Sequence, residues 1–378
     1  DTLIDYAVGK GGDFPKWIGS KLSFVFGLDL SRDNIENRLN GAYARYLNYR
    51  KRHKFMPYAL FVNANSSLNI RSGKACFTEK GKEITKAIFG DGPKDEKKLG
   101  KGVFRQYGVG KDGFDVVSNQ FSIHYFFENI ITLNNFLRNI SEACKVGGYF
   151  IGSSYDGKLV HELLKDKEKG ESISILDDEK NKMWEIKKQY EENDEDDSNK
   201  LKDDKTSVGY KIEVYQESIN KVFAEYLVNY NYLIKLIENY GFVLLKRDEA
   251  NQMGLPSSMG NFRDLYNNMQ SDIKLKKYYK KALGDATKMT LDEKKISFLN
   301  TYFVFKKVRQ VNAESVCRDM IESSGIFEGE EESKSIIPSA NIVKPKIKKL
   351  GKIILKAKKP DSVATEMLKE SLEESKRD

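Results

Sequence analysis

Cysteine and histidine are scarce in this chain: three of each occur among 378 residues. Cys76, Cys144 and Cys317 are odd in number and far apart, so neither a disulfide framework nor a zinc-ligand spacing emerges. No stretch approaches the ~18 consecutive apolar residues of a membrane span, and none has the short apolar segment of a signal peptide. A soluble intracellular protein is expected. The phosphate loop G-x-x-x-x-G-K-[ST] is absent, and the dinucleotide fingerprint G-x-G-x-x-G fails because Phe14 stands where the third glycine belongs. A nicotinamide oxidoreductase is therefore disfavoured.

Charge and aromatic rings are plentiful. Charged residues make up 32%, above a usual share of roughly 25%. Tyr and Phe, 20 and 21 in number, are too many for a chain that cannot collapse. The net charge is +8, yet residues 344–359 hold eight Lys and no acid, so the rest of the chain is neutral on balance. Such an arm reads as loose attraction to nucleic acid, or equally as a solvated linker or nuclear-localisation-like stretch. Residues 191–197 carry six acids and read as a disordered surface insert. The chain opens at Asp1 and enters a strand almost at once, as expected of a piece cut from something longer.

Residues 2–8, 24–30, 58–63, 114–119, 148–153, 242–246 and 302–308 are short apolar runs rich in Val, Ile, Phe and Tyr. They read as buried strands, the last an antiparallel edge. Helical patterns lie between them: residues 31–53 behind Ser31 as N-cap, and Leu133, Phe136, Leu137, Ile140 and Cys144 at helical spacing. Alternating strands and helices predict an α/β fold with a mostly parallel, seven-stranded sheet and helices on both faces. Inserts are expected over about 66–111 and 166–208. The domain is expected to span residues 1–310, followed by a mostly disordered tail, 311–378, with a short helix over 361–376.

The first strand leads into Asp5-Tyr6-Ala7-Val8-Gly9-Lys10-Gly11-Gly12-Asp13, at the place where open α/β sheets bind ligands. Asp5, Asp13 and Asp29 would repel a pyrophosphate and suit a cationic nucleoside such as S-adenosylmethionine. Asp29 closes the second strand 20 residues after Gly9, the position for a carboxylate accepting from ribose hydroxyls. Glycines there could equally serve helix–strand packing alone.

The Gly turn with Pro15-Lys16-Trp17, residues 27–31 (GLDLS), residues 114–125 (FDVVSNQFSIHY), residues 147–152 (GGYFIG) and residues 225–228 (EYLV) together resemble the mRNA cap guanine-N7 methyltransferases, above all the versions in capping enzymes of large DNA viruses. The resemblance runs in order over about residues 1–308, with 120–125 its most specific part. It implies a Rossmann-like class I methyltransferase fold, S-adenosyl-L-methionine as methyl donor, capped RNA as substrate and no metal. It further implies triphosphatase and guanylyltransferase domains linked or associated, and a setting in a cytoplasmic viral factory, a virion or the nucleus. By the same resemblance Asp5, Gly9, Lys10, Gly11 and Asp13 shape the methionine end, Asp29 holds the ribose, Asn65 and Ser66 flank the adenine, and Gln120 and Phe121 border both pockets. His124, Tyr125 and Glu225 would carry the guanine and the catalysis, with Tyr302 and Arg45 as further cap contacts.

The chain departs from the family pattern at Ala7, Val8 and Asn65, at Tyr155 where relatives have Pro, and in starting after the helix that precedes the first strand. Outside that motif His124 would read as a core histidine and Glu225 as a helix N-terminal acid. Asp115 reads as a strand-start acid, and His53 and His161 as surface residues. Another S-adenosylmethionine-dependent RNA methyltransferase, or a non-catalytic stimulatory subunit, stays open as an alternative.

Overall fold

A computed structural model describes residues 1–177, 179–191, 200–275 and 280–325. The chain divides into two units, Asp1–Ala340 and Asn341–Asp378, and every described residue belongs to the first. The Lys-rich arm 344–359, the terminal helix 361–376 and all but Glu191 of the acidic block lie outside the described residues.

Strands among the described residues are β1 (Thr2–Asp5), β2 (Phe24–Asp29), β3 (Tyr58–Asn63), β4 (Phe114–Gln120), β5 (Cys144–Tyr155), β6 (Ser172–Leu176), β7 (Lys182–Lys188), β8 (Lys211–Gln216), β9 (Lys221–Tyr226), β10 (Phe242–Leu244), β11 (Met259–Asn261) and β12 (Asn300–Lys307). The central sheet runs β10-β12-β5-β4-β1-β2-β3, with short β11 added to β12. Strands β1 to β5 pair with one another in parallel, while β12 is antiparallel to both β5 and β10. The antiparallel strand expected at the edge is thus internal. β10 covers its outer side, pairing Val243 with Lys306.

Alternation along the inner strands explains why the sheet is covered twice. In β1 and β2, Ile4, Phe24, Phe26 and Leu28 face a core with Leu133, Phe136, Leu137 and Ile140 of helix Ile130–Ala143. Leu3 and Val25 face the opposite core, with Phe14 and Trp17 of α1 (Phe14–Gly19). All six residues of β2 are buried, as a central parallel strand requires.

Residues 31–53 form two helices where the pattern suggested one: α2 (Arg32–Glu36), whose N-cap Ser31 accepts from Asn34 N at 3.3 Å, and α3 (Ala42–Arg52). Asn37 breaks the run by accepting from the amides of Leu39 and Asn40 at 3.0 and 3.2 Å. The insert 66–111 contains helices Glu79–Ile88, Glu96–Leu99 and Lys101–Phe104. The insert 166–208 supplies β6 and β7 to a second, antiparallel sheet ordered β6-β7-β8-β9. Its strands are legible only as weak alternation, since in Lys182–Lys188 the buried Trp184 and Ile186 stand among lysines and a glutamate.

Helix Ala313–Ser323 lies past the boundary expected near residue 310. It buries Ala313, Cys317 and Ile321 in the main core, and Arg138 of helix Ile130–Ala143 reaches its Glu314 at 3.3 Å. Its apolar residues, Ala313, Val316, Cys317, Met320 and Ile321, recur at helical spacing, a pattern that the expected boundary overlooked. Ile321→Ala should cost about 2–5 kcal/mol in urea unfolding. A residue in a disordered tail would give no change. Among the described residues no helix is long and apolar enough to cross a membrane.

Candidate active site

Beyond β1 the chain stays wedged between its neighbours, with Tyr6 N on Ser118 O (3.0 Å) and Val8 N on Leu28 O (2.9 Å), before the glycine turn opens. Gly9 and Gly11 both have left-handed φ, 54° and 74°. Their reasons differ. A Cβ on Gly11 would lie 2.2 Å from Phe14 Cζ, so packing of α1 dictates that glycine; on Gly9 or Gly12 it would meet nothing within 4 Å, leaving their backbone open to close approach.

Asp29 ties this turn to the end of β2. Its Oδ2 accepts from Gly9 N at 2.8 Å, and its Oδ1 accepts from Ser31 N at 2.8 Å and Asn34 Nδ2 at 3.1 Å. Burial still raises its carboxyl above the ordinary range, outweighing those three bonds. Asp5 is more deeply buried. It accepts from Ala7 N at 3.1 Å, and burial, reinforced by Asp13 and Asp29, pushes it up to about 7. The nearby cations are already engaged: Lys10 with Asp33 (3.2 Å) and Asn40 (2.9 Å), Lys16 with Asp13 (2.6 Å). Arg45 of α3 donates to Lys10 O at 2.7 Å. The turn therefore presents carboxylates and open backbone.

Past β3, Asn65 Oδ1 accepts from Ser67 N at 2.9 Å and Ser66 Oγ donates to Tyr6 O at 3.2 Å. Ser66 thereby anchors the β3 loop to β1 through a buried side chain.

At the end of β4, Gln120 Oε1 accepts from Ser153 Oγ at 2.8 Å, fixing it against β5. Phe121 follows with φ 51° and 54% exposure, while its amide donates to Ser153 O at 2.7 Å. A bulky residue in left-handed conformation is strained by about 1–3 kcal/mol, a cost associated with functional positions. The next turn, Ile123–Glu128, carries His124 and Tyr125, whose rings meet edge to face at 4.2 Å.

Glu225 comes to them from the second sheet. It occupies the buried position of β9, not the helix start considered above, and its Oε2 lies 3.7 Å from His124 Nε2. That separation is too long for a hydrogen bond. Neither imidazole nitrogen of His124 nor Glu225 Oε2 has a partner. Burial lowers His124 to about 3 and raises Glu225 to about 8, so the proximity is not an ion pair in the ligand-free state. The Tyr125 hydroxyl is likewise held well above its ordinary range by burial and by the fields of Glu225 and Asp29. Unpartnered buried donors and acceptors of this kind mark a place built for a polar ligand.

The profile of the mRNA (guanine-N(7))-methyltransferase domain matches residues 2–308. The chain belongs to that family. Its relatives include a probable mRNA-capping enzyme of Acanthamoeba polyphaga mimivirus, 29% identical over 328 residues that cover 82% of this chain and 26% of that protein. The mRNA cap guanine-N(7) methyltransferase of Saccharomyces cerevisiae is 25% identical over 333 residues, covering 84% of this chain and 62% of that one. An Arabidopsis thaliana mRNA cap guanine-N(7) methyltransferase is 28% identical over 171 residues, 44% of this chain and 36% of that one. The chain thus spans less than two thirds of the length of each of these relatives.

Several residues of this methyltransferase domain work as scaffolding around the pocket. Tyr155 accepts from Trp184 Nε1 at 3.0 Å and Gln216 Nε2 at 2.9 Å, fastening β7 and β8 to the end of β5. Tyr226 OH donates to Glu128 Oε1 at 3.0 Å, fixing β9 against the turn that carries His124. Tyr302 is buried, with its hydroxyl donating to Ser257 O at 3.0 Å. Asp115 accepts from Thr2 N at 2.6 Å and pairs with Lys145, a joint between β1 and β4. His161, expected at the surface, is buried against Tyr190 and Tyr210; His53 is exposed and stacks on Tyr49. Asn119 and Ser122 were not singled out by sequence reasoning. Both are buried with side-chain polar atoms unpartnered, and for Asn119 the available signal was a polar residue where a strand should be apolar.

Proposed function

We propose that this domain transfers a methyl group from S-adenosyl-L-methionine to N7 of the 5′ cap guanine of mRNA. The observation that carries the reading is the buried Glu225 carboxyl, unpartnered at Oε2 and facing the unpartnered Nε2 of His124. Guanine's N1–H and 2-amino group are the donors such a carboxylate lacks.

The glycine turn fits the methyl donor: backbone at Gly9 and Gly12 is open, and Asp5, Asp13 and Asp29 suit a group bearing ammonium and sulfonium charges. When bound, S-adenosylmethionine supplies an electrophilic methyl carbon. Asp29 would accept from a ribose hydroxyl on the lone pair left after Gly9 N, and Asn65 and Ser66 would border the adenine. Lys10 and Gly11 would act through the shape of the turn, since the Lys10 amine is held by Asp33 and Gly11 packs on Phe14. Gln120 and Phe121 would separate the two pockets. Arg45 would offer the cap triphosphate the donors it does not spend on Lys10, and Tyr302 its ring.

Guanine N7 carries a lone pair and no proton, so no general base is needed. His124, held neutral, and Tyr125 wall the base and orient it, an effect that can contribute roughly 7–11 kcal/mol. Methylation makes the purine cationic and its N1–H more acidic. Glu225 therefore binds the transition state more strongly than the ground state. Similarity to the mimivirus protein, of which the chain spans 26%, supports capping domains linked in one longer protein, acting inside the cell where transcripts are capped. Radiolabelled methyl transfer to GpppG-capped RNA tests the reading. Label on uncapped RNA but not on the cap would favour another RNA methyltransferase, and no transfer a stimulatory subunit.

A pH dependence follows from Glu225. The charged form accepts from guanine, so cap affinity should rise between pH 6 and about 8 and level off above, with no such rise in Glu225→Gln. Stability should run the other way. Burial favours the protonated form, so the folded pKa exceeds the unfolded one, and this group's contribution falls as pH rises from the ordinary carboxyl range to about 8. Ligand-free thermal melts at pH 6 and pH 9 should differ less in Glu225→Gln than in the natural protein.

A further inference from the structure

Residues 37–78 contain no aspartate or glutamate but eight Lys or Arg. The densest part, residues 50–54 (RKRHK), ends α3 and runs into the following loop, all exposed. Beside it lies a cleft of about 570 Å³ lined by Arg38, Ala44, Leu47, Asn48, Arg50 and Lys51. Arg38, Arg50, Lys51, Arg52 and Lys54 form no ion pair among the described residues, whereas nearby Lys10, Lys16, Arg32, Lys80, Lys82 and Lys98 each have an acid partner.

Cations in a last helical turn can simply complement the helix dipole. That accounts for Arg50, Lys51 and Arg52, but not for Arg38 before the helix, Lys54 after it, or the cleft between turns. Exposed apolar side chains stand in the same segment: Leu47 on α3, Phe55 beyond it and Tyr58 at the start of β3. Cations interleaved with exposed rings suit a single strand of nucleic acid, whose phosphates and bases alternate; an acidic protein surface would have no use for the rings.

We infer that the outer face of α3, with its cleft, binds the RNA chain that follows the cap. The inference rests on the cap-methylation reading and names a part of that substrate which the guanine pocket cannot hold. The same helix carries Arg45, bonded to the glycine turn through Lys10 O. From Arg45 to Arg52 the helix rises about 10 Å, so the strip leads away from the cofactor loop over the length of the first nucleotides.

The test uses the full chain carrying Arg50→Gln, Lys51→Gln and Arg52→Gln together, all surface positions. Binding of a short uncapped single-stranded RNA is followed by fluorescence anisotropy across a KCl series. Removing three phosphate contacts should make the slope of log affinity against log salt shallower by about 2 and weaken binding at low salt at least tenfold. KM for capped RNA should rise while turnover on the GpppG dinucleotide stays at the natural level. A control with Lys97→Gln, Lys101→Gln and Lys111→Gln removes equal charge elsewhere and should leave the slope unchanged. An unchanged slope in the α3 variant, as expected if the strip met an acidic protein, or an equal fall in the control, overturns the inference. If the natural protein fails to methylate GpppG while the slope still shifts in the α3 variant alone, the cap-methylation reading falls and the RNA track stands.

Discussion

Glu225→Gln is expected to reduce methyl transfer to GpppG by at least ~10²-fold while leaving S-adenosylmethionine affinity near its natural value, comparable to the loss of one oxyanion-type donor. The substitution preserves shape and replaces one acceptor oxygen with an amide donor that faces guanine's own donors. The site loses a charged hydrogen bond and gains a repulsion of like polarity, and both penalties grow as positive charge develops on the purine. Because β9 is fastened through Tyr226 to Glu128, the variant side chain should remain beside His124. An adenine-capped dinucleotide should be a poor substrate for the natural domain for the same reason, having no N1–H to offer. Near-normal turnover on GpppG by the Gln variant would mean that the guanine is read by other residues.

Asp29→Ala should weaken S-adenosylmethionine binding by roughly 10- to 150-fold, the equivalent of one charge-assisted hydrogen bond of about 1.5–3 kcal/mol. The structure adds a second consequence. Gly9 N, Ser31 N and Asn34 Nδ2 all lose their acceptor, so the glycine turn and the start of α2 loosen together and the thermal midpoint should fall as well. Asp29→Asn should restore the start of α2, since its carbonyl oxygen can still accept from Ser31 and Asn34, but neither the glycine turn nor the cofactor affinity, since its amide donor then faces Gly9 N. Calorimetric affinity unchanged in both variants would remove Asp29 from the cofactor site.

The α/β alternation, the parallel sheet and the turn after β1 were legible because each is local: an apolar run, a glycine cluster, an acid at a fixed offset. In the second sheet the signal was diluted by charge. In Lys182–Lys188 the buried Trp184 and Ile186 stand among three lysines and a glutamate, whereas helix Ala313–Ser323 was missed despite apolar residues at helical spacing, at 313, 316, 317, 320 and 321. Asn37 and Gly41 interrupted a helical pattern whose apolar periodicity hardly changed, because the break is made by side chain-to-backbone bonds that periodicity does not record.

The sequence by itself determined the succession of strands and helices along the chain, the acid-rich glycine turn and the place of Asp29, since these depend on residues close together in the chain. The order of strands in the sheet, with β12 inside β10, came only from the fold. Only the tertiary structure decided that Glu225 meets His124. The former lies on a separate sheet, and Tyr155, Trp184, Gln216 and the Tyr226–Glu128 bond bring that sheet against the end of β4. Burial, and with it the protonation of both groups, exists only once those distant segments close over each other and exclude water.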